Sequence, residues 1–374
     1  MLVPIYIKTA VCSPGVAKLP ALNKPKVDLT RVNRNDMAIR AINWITWILL
    51  FIGVDFFYYW FHRLAHEISL FWGTHIVHHQ SEEYNLSVAL RQSAFQGFVS
   101  MVFYFPLALV GFNPISFVTI SAFQTLYQFW IHTKAIKKMP TWFEYIFNTP
   151  SHHRVHHGRN PKYIDKNHGG TLIIFDRLFG TFQEEEEEVI YGVTKPLASW
   201  NPVWANFDWY VDMWNDLKKP MSWKDRVRLL FNKPGWLPDH LGGYRAPHEI
   251  RKEENKVYDT EIPNGLNYYI LFQYVVVLGI TTVFLFNLDN FPLLQQLLIA
   301  GFIILSITNL GGIFEKKYWA AILEWGRWVL VMIAAIYAIV KLSADPIYIS
   351  VLLVLVFISL FWFSRHRNVF ESAS

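Results

Sequence analysis

The chain has 374 residues, of which 53% are hydrophobic and only 17% are charged, whereas soluble proteins carry about 25% charge. Its mean hydropathy is +0.21 and it holds 16 Trp, as expected where rings anchor at a bilayer surface. Disordered, collagen-like and disulfide-rich chains are excluded, and an integral membrane protein is predicted. The net charge of +5 comes from scattered Lys and Arg, so no nucleic-acid partner is expected. A single cysteine, Cys12, excludes internal disulfides and Cys-based metal sites.

The first predicted element is a surface segment, residues 1–38, which carries basic residues but no long apolar run and no cleavage site of a removable signal peptide. An apolar stretch follows at 41–61 and is interrupted by Asp55. As a helix it measures roughly 31 Å, enough to span a bilayer. A full crossing would leave the basic N-terminus outside, against the positive-inside rule. The sequence leaves open whether this stretch crosses or only enters the membrane.

A hairpin is the next predicted element. Two apolar stretches, 94–112 and 115–131, are separated only by Asn113-Pro114. Because the chain crosses and comes straight back, the segments before and after the hairpin must lie on the same side of the membrane. Basic residues flank the hairpin, which predicts that this side is cytoplasmic.

The remainder of the chain is predicted to be a polar segment followed by membrane spans. The run Glu184–Glu188 predicts a solvated loop. Four apolar spans at about 266–288, 291–313, 319–341 and 346–363 carry almost no ionisable group, which favours an anchor or partner surface over a pump or channel. The predicted fold is therefore an all-α integral membrane protein with a His-rich helical di-metal domain on the cytoplasmic side. Its predicted parts are an N-terminal surface segment (1–38), a catalytic domain containing the hairpin (39–196), an aromatic-rich cytoplasmic segment (197–265), a four-helix transmembrane region (266–363) and a cytoplasmic tail (364–374).

Histidine is concentrated in one part of the chain. Of 14 His, 11 fall between His62 and His168, where even spreading would place about four. Three clusters have helical spacings of three and four residues, so each presents its imidazoles on one face. Neutral imidazole suits Zn, Cu, Fe or Ni, and eight ligands are too many for one ion, which predicts two ions with about four nitrogens each. The eight candidate ligands are His62 and His66, then His75, His78 and His79, then His153, His156 and His157.

Other polar residues are candidates for the same site. His132, at the end of the hairpin, is either a ninth ligand or a supporting group, and His152 is a weaker ligand candidate because it is out of phase with its cluster. Metal-bound His usually donates its second N–H to a carboxylate or carbonyl. The residues expected to support the ligands in this way are Asp55, Glu67, Asn85 and Asp176, whereas His168, His240, His248 and His366 are expected to lie apart from the site.

The clusters have the forms HxxxH, HxxHH and HxxHH, which resemble the signature of the fatty acid hydroxylase/sterol desaturase superfamily. The longer stretches GVDFFYYWFHRLAHE, NTPSHHRVHHGRN and IDKNHGGTLIIFDRLFGTF closely resemble the alkylglycerol monooxygenase family within it, and the similarity runs from about Gly53 to Pro196. Two features depart from the family pattern. The N-terminal region lacks additional apolar segments, and His168 stands where an aromatic residue is expected.

This resemblance implies a membrane di-iron monooxygenase with the eight histidines as iron ligands. It implies O₂ as co-substrate, tetrahydrobiopterin as cofactor, and hydroxylation beside the ether oxygen of alkylglycerols or lyso-ether lipids, giving a fatty aldehyde and a glycerol derivative. A pterin-recycling reductase is an implied partner beside the lipid and the bilayer. The location would be the endoplasmic reticulum of a eukaryote or the inner membrane of a bacterium. The alternatives are a hydroxylase or desaturase of acyl, sterol or carotenoid substrates, a metal transporter or sensor, and a zinc hydrolase.

Overall fold

The computed structural model describes residues 44–247, 255–342 and 345–371. These residues form helices joined by loops that contain two isolated β-bridges, which confirms the predicted all-α class. The predicted surface segment, 1–38, and the first residues of the apolar stretch that follows it lie outside the described residues, as does His248. Contacts divide the described chain into two compact units. The histidine unit comprises residues 44–194 and 213–247, and the C-terminal unit comprises 195–212, 255–342 and 345–371.

The longest helix of the histidine unit is α1, Trp44–Glu67. Its 24 residues rise about 36 Å, more than the roughly 30 Å thickness of a bilayer core. The helix continues past the predicted end of the apolar stretch at residue 61, so His62 and His66 lie in its last turns. One continuous helix therefore carries both a membrane-spanning segment and the first histidine cluster.

The two apolar stretches of the predicted hairpin are helical: they form α4, Gln96–Leu109, and α5, Pro114–Trp130. The Asn113 side chain caps α5 by accepting from the backbone N–H of Ile115 at 2.8 Å, and Pro114 suits the first helical position because it has no N–H to satisfy. The two helices rise about 21 and 26 Å, which is short for a bilayer core of roughly 30 Å. Both helices pack against α1 through a core of apolar side chains, namely Leu50, Val54, Leu107 and Ile120.

Short helices fill the remainder of the histidine unit. Two of them, α2 and α7, carry the second and third histidine clusters. One helix, α9, has residues in both units. The short helices are α2 (Ser69–His79), α3 (Leu86–Leu90), α6 (Thr141–Ile146), α7 (Pro150–His156), α8 (Ile174–Phe179), α9 (Pro202–Leu217) and α10 (Trp223–Phe231).

The C-terminal unit contains the predicted spans. Among the described residues, four helices are long and apolar enough to cross a membrane: α1 and the first three helices of this unit. This identifies an integral membrane protein. The helices of the unit are α11 (Asn264–Phe286), α12 (Leu293–Phe314), α13 (Tyr318–Leu342), α14 (Pro346–Ser364) and α15 (Asn368–Glu371).

The interior of this unit is more polar than the sequence predicts. Glu324 and Arg327 of α13 are 0% and 2% exposed, and Arg327 donates from Nη2 to Glu324 Oε1 at 2.5 Å. The expectation that these spans hold almost no buried ionisable group therefore needs correction. Placing the two charges three residues apart on one helix lets each neutralise the other, which makes their burial tolerable.

Candidate metal centre

Four parts of the histidine unit bring imidazoles together. The last turns of α1 contribute the first cluster, α2 contributes the second, and α7 with the residue that follows it contributes the third. The residue following α5 by two positions supplies one more ring. Each of these rings is at most 7% exposed, and together they are His62, His66, His75, His78, His79, His132, His153, His156 and His157.

The nine rings divide into two adjacent groups. In each group the candidate ligand nitrogens all lie within 4.8 Å of one another, and the rings of His79 and His157 stack across the two groups with centroids 4.4 Å apart. Histidines four residues apart enter the same group, whereas the third member of a cluster enters the other. The five-histidine group is His62, His66, His75, His79 and His156, and the four-histidine group is His78, His132, His153 and His157.

The spacing of the nitrogens fits metal binding. Two nitrogens that bind one ion at about 2.1 Å are about 3.0 Å apart at a right angle and about 3.4 Å apart in a tetrahedron. The Nε2 atoms of His62 and His75 are 2.9 Å apart, and so are those of His132 and His153. Three further Nε2 atoms, those of His66, His156 and His157, are buried and have no hydrogen-bond partner among the described residues. Because buried polar atoms nearly always have partners, these lone pairs indicate a site for an ion.

In many of these histidines the other ring nitrogen, Nδ1, forms a hydrogen bond to an oxygen acceptor. An oxygen partner requires that Nδ1 carry the proton, which leaves the Nε2 lone pair for a metal. Five rings are oriented in this way: His62 Nδ1 donates to the His168 carbonyl at 2.8 Å, His75 to Gln96 Oε1 at 2.9 Å, His78 to the Arg91 carbonyl at 3.1 Å, His132 to the Gln128 carbonyl at 2.6 Å and His156 to the Lys166 carbonyl at 3.0 Å.

Burial also keeps the imidazoles neutral. It lowers the pKa of His75 and of His132 to about 4, because an imidazolium there would lose its hydration. The pKa of His153 is lowered by burial and, next, by the neighbouring His132. Imidazole binds metals in its neutral form, so these rings could bind a metal at neutral pH.

Two carboxylates hold the loop that orients His62. Asp55, predicted to bind a ligand ring, instead accepts from the backbone N–H groups of Thr171 and Leu172 at 2.7 and 2.9 Å. Asp176 accepts from the backbone N–H groups of His168 and Gly169, both at 2.7 Å. Since the His168 carbonyl is the acceptor for His62 Nδ1, both acids act on the His62 ring through the backbone of this loop.

The sequence Gly169-Gly170 is required by this close packing. A Cβ at Gly170 would lie 2.6 Å from Gln124 Nε2 and 2.8 Å from Asp55 Oδ1. A Cβ at Gly169 would lie 2.4 Å from the Leu172 carbonyl oxygen. All three distances are shorter than real contacts of a Cβ, so only glycine lets the loop approach the two carboxylates.

Three other predicted residues do not reach the ligand rings. Glu67 pairs with Arg63 at 3.1 Å, and Asn85 caps α3 by accepting from the backbone N–H of Ser87 at 2.9 Å. His152 is buried but lies outside both groups, with its ring 5.3 Å from that of Phe182. Glu67 and Asn85 instead bond to neighbouring residues, Glu67 at the end of α1 and Asn85 at the start of α3.

Three residues in or beside the centre were not predicted from the sequence to belong to it. His168, expected to lie apart, is fully buried with its ring 5.1 Å from that of His66. Gln96 orients His75, and Gln124 donates to Asp55 Oδ1 at 2.6 Å. The two glutamines could have been identified from the sequence. Each stands in an apolar stretch, where burial of an amide is costly unless the amide is hydrogen-bonded.

The run Glu184–Glu188 lies in a loop, and Glu185 pairs with an arginine of the third histidine cluster. Arg154, within the third cluster, donates from Nε to Glu185 Oε1 at 2.8 Å and from Nη2 to Glu185 Oε2 at 2.6 Å. The same guanidinium donates to the carbonyls of Thr133 and Lys137 at 3.0 and 2.7 Å. Arg154 thereby fixes α7 to the chain that follows His132.

Comparison with known proteins gives a consistent result. A family model described as Fatty acid hydroxylase matches residues 47–181, and one described as Alkylglycerol monooxygenase C-terminal domain matches residues 266–355. The protein named alkylglycerol monooxygenase in Xenopus tropicalis is 43% identical over 290 residues, 76% of this chain and 64% of the relative. The proteins of that name in Danio rerio and Homo sapiens are 42% and 38% identical over 299 and 325 residues. No solved structure matches the chain.

The chain covers different shares of these relatives. The chain spans 64% and 66% of the frog and fish relatives, about two thirds of their length. The human match covers 84% of this chain and 72% of the relative. At 38% identity over that extent, the chain belongs to the alkylglycerol monooxygenase family.

Proposed function

We propose that the protein is a membrane di-iron monooxygenase that hydroxylates the carbon next to the ether oxygen of alkylglycerols or lyso-ether lipids. The hydroxylated product is a hemiacetal, which separates into a fatty aldehyde and a glycerol derivative. The observation that carries the proposal is the pairing of two groups of buried, neutral imidazoles in a member of this family. The names of the relatives supply the substrate class.

The two groups would each hold one iron ion. The five-histidine group and the four-histidine group together contain the eight predicted ligands and His132, which makes His132 a ninth ligand in the proposal. When bound, the iron pair supplies the activation of O₂ that hydroxylation of an alkyl carbon requires. The protein contributes the position of the ligands, their protonation state and the exclusion of water.

Aromatic side chains cover the centre. The ring of Tyr58 lies 5.2 Å from that of His62, Trp72 lies 4.9 Å from His66, and Tyr84 lies 5.2 Å from His157. Such walls exclude water, which protects a reactive site from side reactions. Because α1 carries His62 near the end of a spanning helix, an insoluble alkyl chain can be presented from the bilayer without entering water.

The pterin, the reductase and the side of the membrane belong to the proposal as well. Tetrahydrobiopterin would supply the two electrons that reduce the second oxygen atom of O₂ to water, and its place here rests on the family resemblance. A pterin-recycling reductase would return the cofactor to its reduced state. The positive charges flanking the hairpin support a cytoplasmic centre, in the endoplasmic reticulum or a bacterial inner membrane.

The test is a pterin-dependent assay combined with metal analysis. The purified chain, loaded with ferrous iron in lipid nanodiscs, receives a labelled alkylglycerol, O₂ and tetrahydrobiopterin. We expect fatty aldehyde that requires the pterin, and two irons per chain. The matched ester, a labelled acylglycerol, should give no aldehyde.

The alternative functions predict other results. Two irons with hydroxylated or desaturated acyl, sterol or carotenoid products and no aldehyde would replace ether cleavage by another reaction of the superfamily. Zinc-dependent hydrolysis without oxidation would favour a zinc hydrolase. Metal uptake into vesicles that is abolished by His78→Ala would favour a transporter, although transporter ligands usually lie near the middle of the bilayer.

A further inference from the structure

Helix α10 has one face packed on the protein. Leu229 is 4% exposed, and the helix packs against α2, which carries the second histidine cluster. Just after α10, the Asn232 carbonyl accepts from the backbone N–H of Ser69 at 2.9 Å. The C-terminal end of α10 is therefore attached to the first residue of α2.

The opposite face of α10 is apolar and exposed. Trp223, Val227 and Phe231 are 70%, 45% and 55% exposed. Residues four apart on a helix are about 40° apart around its axis, so these three form one line, which we call the α10 ridge. Leu229 lies on the far side of the helix from the ridge. Large apolar side chains aligned in this way against water indicate an interaction surface.

Basic residues border the ridge. Lys224 and Arg228 lie on one side of it and Arg226 on the other, while Asp225, at 3.6 Å from Arg228, is the one acid of the helix. The three cations against one carboxylate leave this short helix positive. An apolar ridge between cations matches a bilayer surface that has acyl chains below and anionic phosphates beside them.

The position of α10 in the fold agrees with such a surface. Ser69, to which its end is bonded, follows the spanning helix α1 by two residues. The end of a spanning helix lies near the membrane boundary, so α10 lies there too. Lys233, two residues after the end of α10, donates to Asp165 Oδ2 at 3.1 Å. The other oxygen of that carboxylate, Asp165 Oδ1, is 4.0 Å from His66 Nδ1. This segment therefore joins the boundary to the metal centre.

We propose that α10 lies in the membrane interface, with the α10 ridge among the acyl chains and its basic residues against anionic lipid phosphates. The helix thereby sets the height of the metal centre above the bilayer core. The inference involves neither iron nor the nature of the substrate, so its test is independent of the test of the proposed function.

Site-specific fluorescence in proteoliposomes tests the proposal. Cys12→Ser removes the single cysteine of the full chain, and Val227→Cys then carries an environment-sensitive label. In vesicles of phosphatidylcholine and phosphatidylglycerol we expect blue-shifted emission that is quenched by lipids with a doxyl group on the acyl chain. The matched control, Arg228→Cys on the charged flank, should be less shifted and less quenched. Trp223→Cys provides a second ridge position if the first variant folds poorly.

The charge part is tested in the same vesicles. Omitting phosphatidylglycerol should reduce quenching at position 227, and the combined variant Lys224→Gln, Arg226→Gln and Arg228→Gln should show the reduced value in both lipid mixtures. Equal quenching with and without anionic lipid would overturn the role of the basic residues. Emission from the label at position 227 that is not blue-shifted would show that this position lies in water, and would overturn the interfacial position of α10. A blue-shifted label that doxyl lipids do not quench would overturn it as well, because a protein surface or a second copy of the chain would then cover the ridge.

Discussion

In the part of the chain that the structure describes, each unit holds a large buried polar cluster, and the two clusters differ in how their atoms are paired. In the C-terminal unit, Glu324 accepts from Arg327, from Asn309 Nδ2 at 2.7 Å and from the hydroxyl of Tyr269. Arg327 also donates to Gln273 Oε1 at 2.9 Å. Both carboxylate oxygens of Glu324 therefore have donors, and Asn309 Oδ1 is the one atom of these side chains without a partner among the described residues. In the histidine unit, by contrast, several Nε2 atoms that face one another have no partner among the described residues.

This difference separates a structural cluster from a binding site. The ionic network connects α11, α12 and α13 and satisfies its charges within the chain, so it needs no ligand to be stable. The imidazoles direct their Nε2 atoms at common points, and among the described residues those of His66, His156 and His157 have no hydrogen-bond donor. A cation stabilises a buried group of lone pairs that face one another, which is the physical argument for a metal.

The largest expected effect is the loss of a ligand. His156→Ala in the five-histidine group and His78→Ala in the four-histidine group should each lower monooxygenase activity by more than about 100-fold, since even groups that support ligands account for 10- to 100-fold. Each variant should retain one of the two proposed irons, measured by metal analysis after purification. His240→Ala is the control, because that residue is exposed and bonds only to the Pro220 carbonyl in the contacts described. Normal turnover in either ligand variant would contradict the assignment.

Breaking the ionic network should reduce stability while leaving the metal in place. Glu324→Gln leaves the Arg327 charge buried without its counter-ion, which costs about 3–5 kcal/mol of the free energy of unfolding. Denaturant unfolding in detergent measures the loss, and iron per folded chain should not change. The double variant Glu324→Gln with Arg327→Gln should lose less than the sum of the single variants. A loss of iron from Glu324→Gln would show that the network is not purely structural.

A smaller effect is expected from the carboxylate that holds the His62 loop. Asp55→Asn replaces one accepting oxygen by a donor that faces the N–H groups of Thr171 and Leu172. An unpaired buried N–H costs about 1–3 kcal/mol, and the displaced loop should weaken iron binding in the five-histidine group. Iron titration and thermal unfolding measure the two effects. Glu67→Gln is the matched control, since its partly exposed ion pair is worth at most about 1 kcal/mol. Equal iron affinity in Asp55→Asn and the parent chain would count against the positioning role.

The smallest effect is on pH dependence in the iron-free protein. The pKa of His75 and of His132 is about 4 in the folded chain, whereas the ordinary value is 6.5. The unfolded chain therefore binds more protons below pH 6.5, and stability is lost as the pH falls from 6.5 toward 4. As the pH falls from about 7.5 to about 5.5, protonation of each ring in the unfolded chain should lower the free energy of unfolding by about 1 kcal/mol. His75→Gln should flatten this slope, and a parent chain with no slope would refute the argument.

Sequence spacing alone predicted much of the histidine centre. Spacings of three and four residues place each cluster on one helix face, and the hairpin returns His132 to the side of His62. What spacing could not predict is the division of each cluster between two groups. His78 departs from His75 and His79 because its ring points 60–100° away around α2 and meets rings from a different part of the chain.

The sequence by itself determined the membrane character, the helical class and the eight candidate ligands, because hydropathy and helical periodicity are local properties of a chain. Only the tertiary structure decided that Asp55 binds a backbone loop, that Asn85 merely caps a helix, that His168 lies beside His66 and that Glu324 finds Arg327 within the spans. A polar side chain in an apolar segment needs a partner, but its type does not reveal which one. That choice depends on which distant segments the fold brings within hydrogen-bond distance.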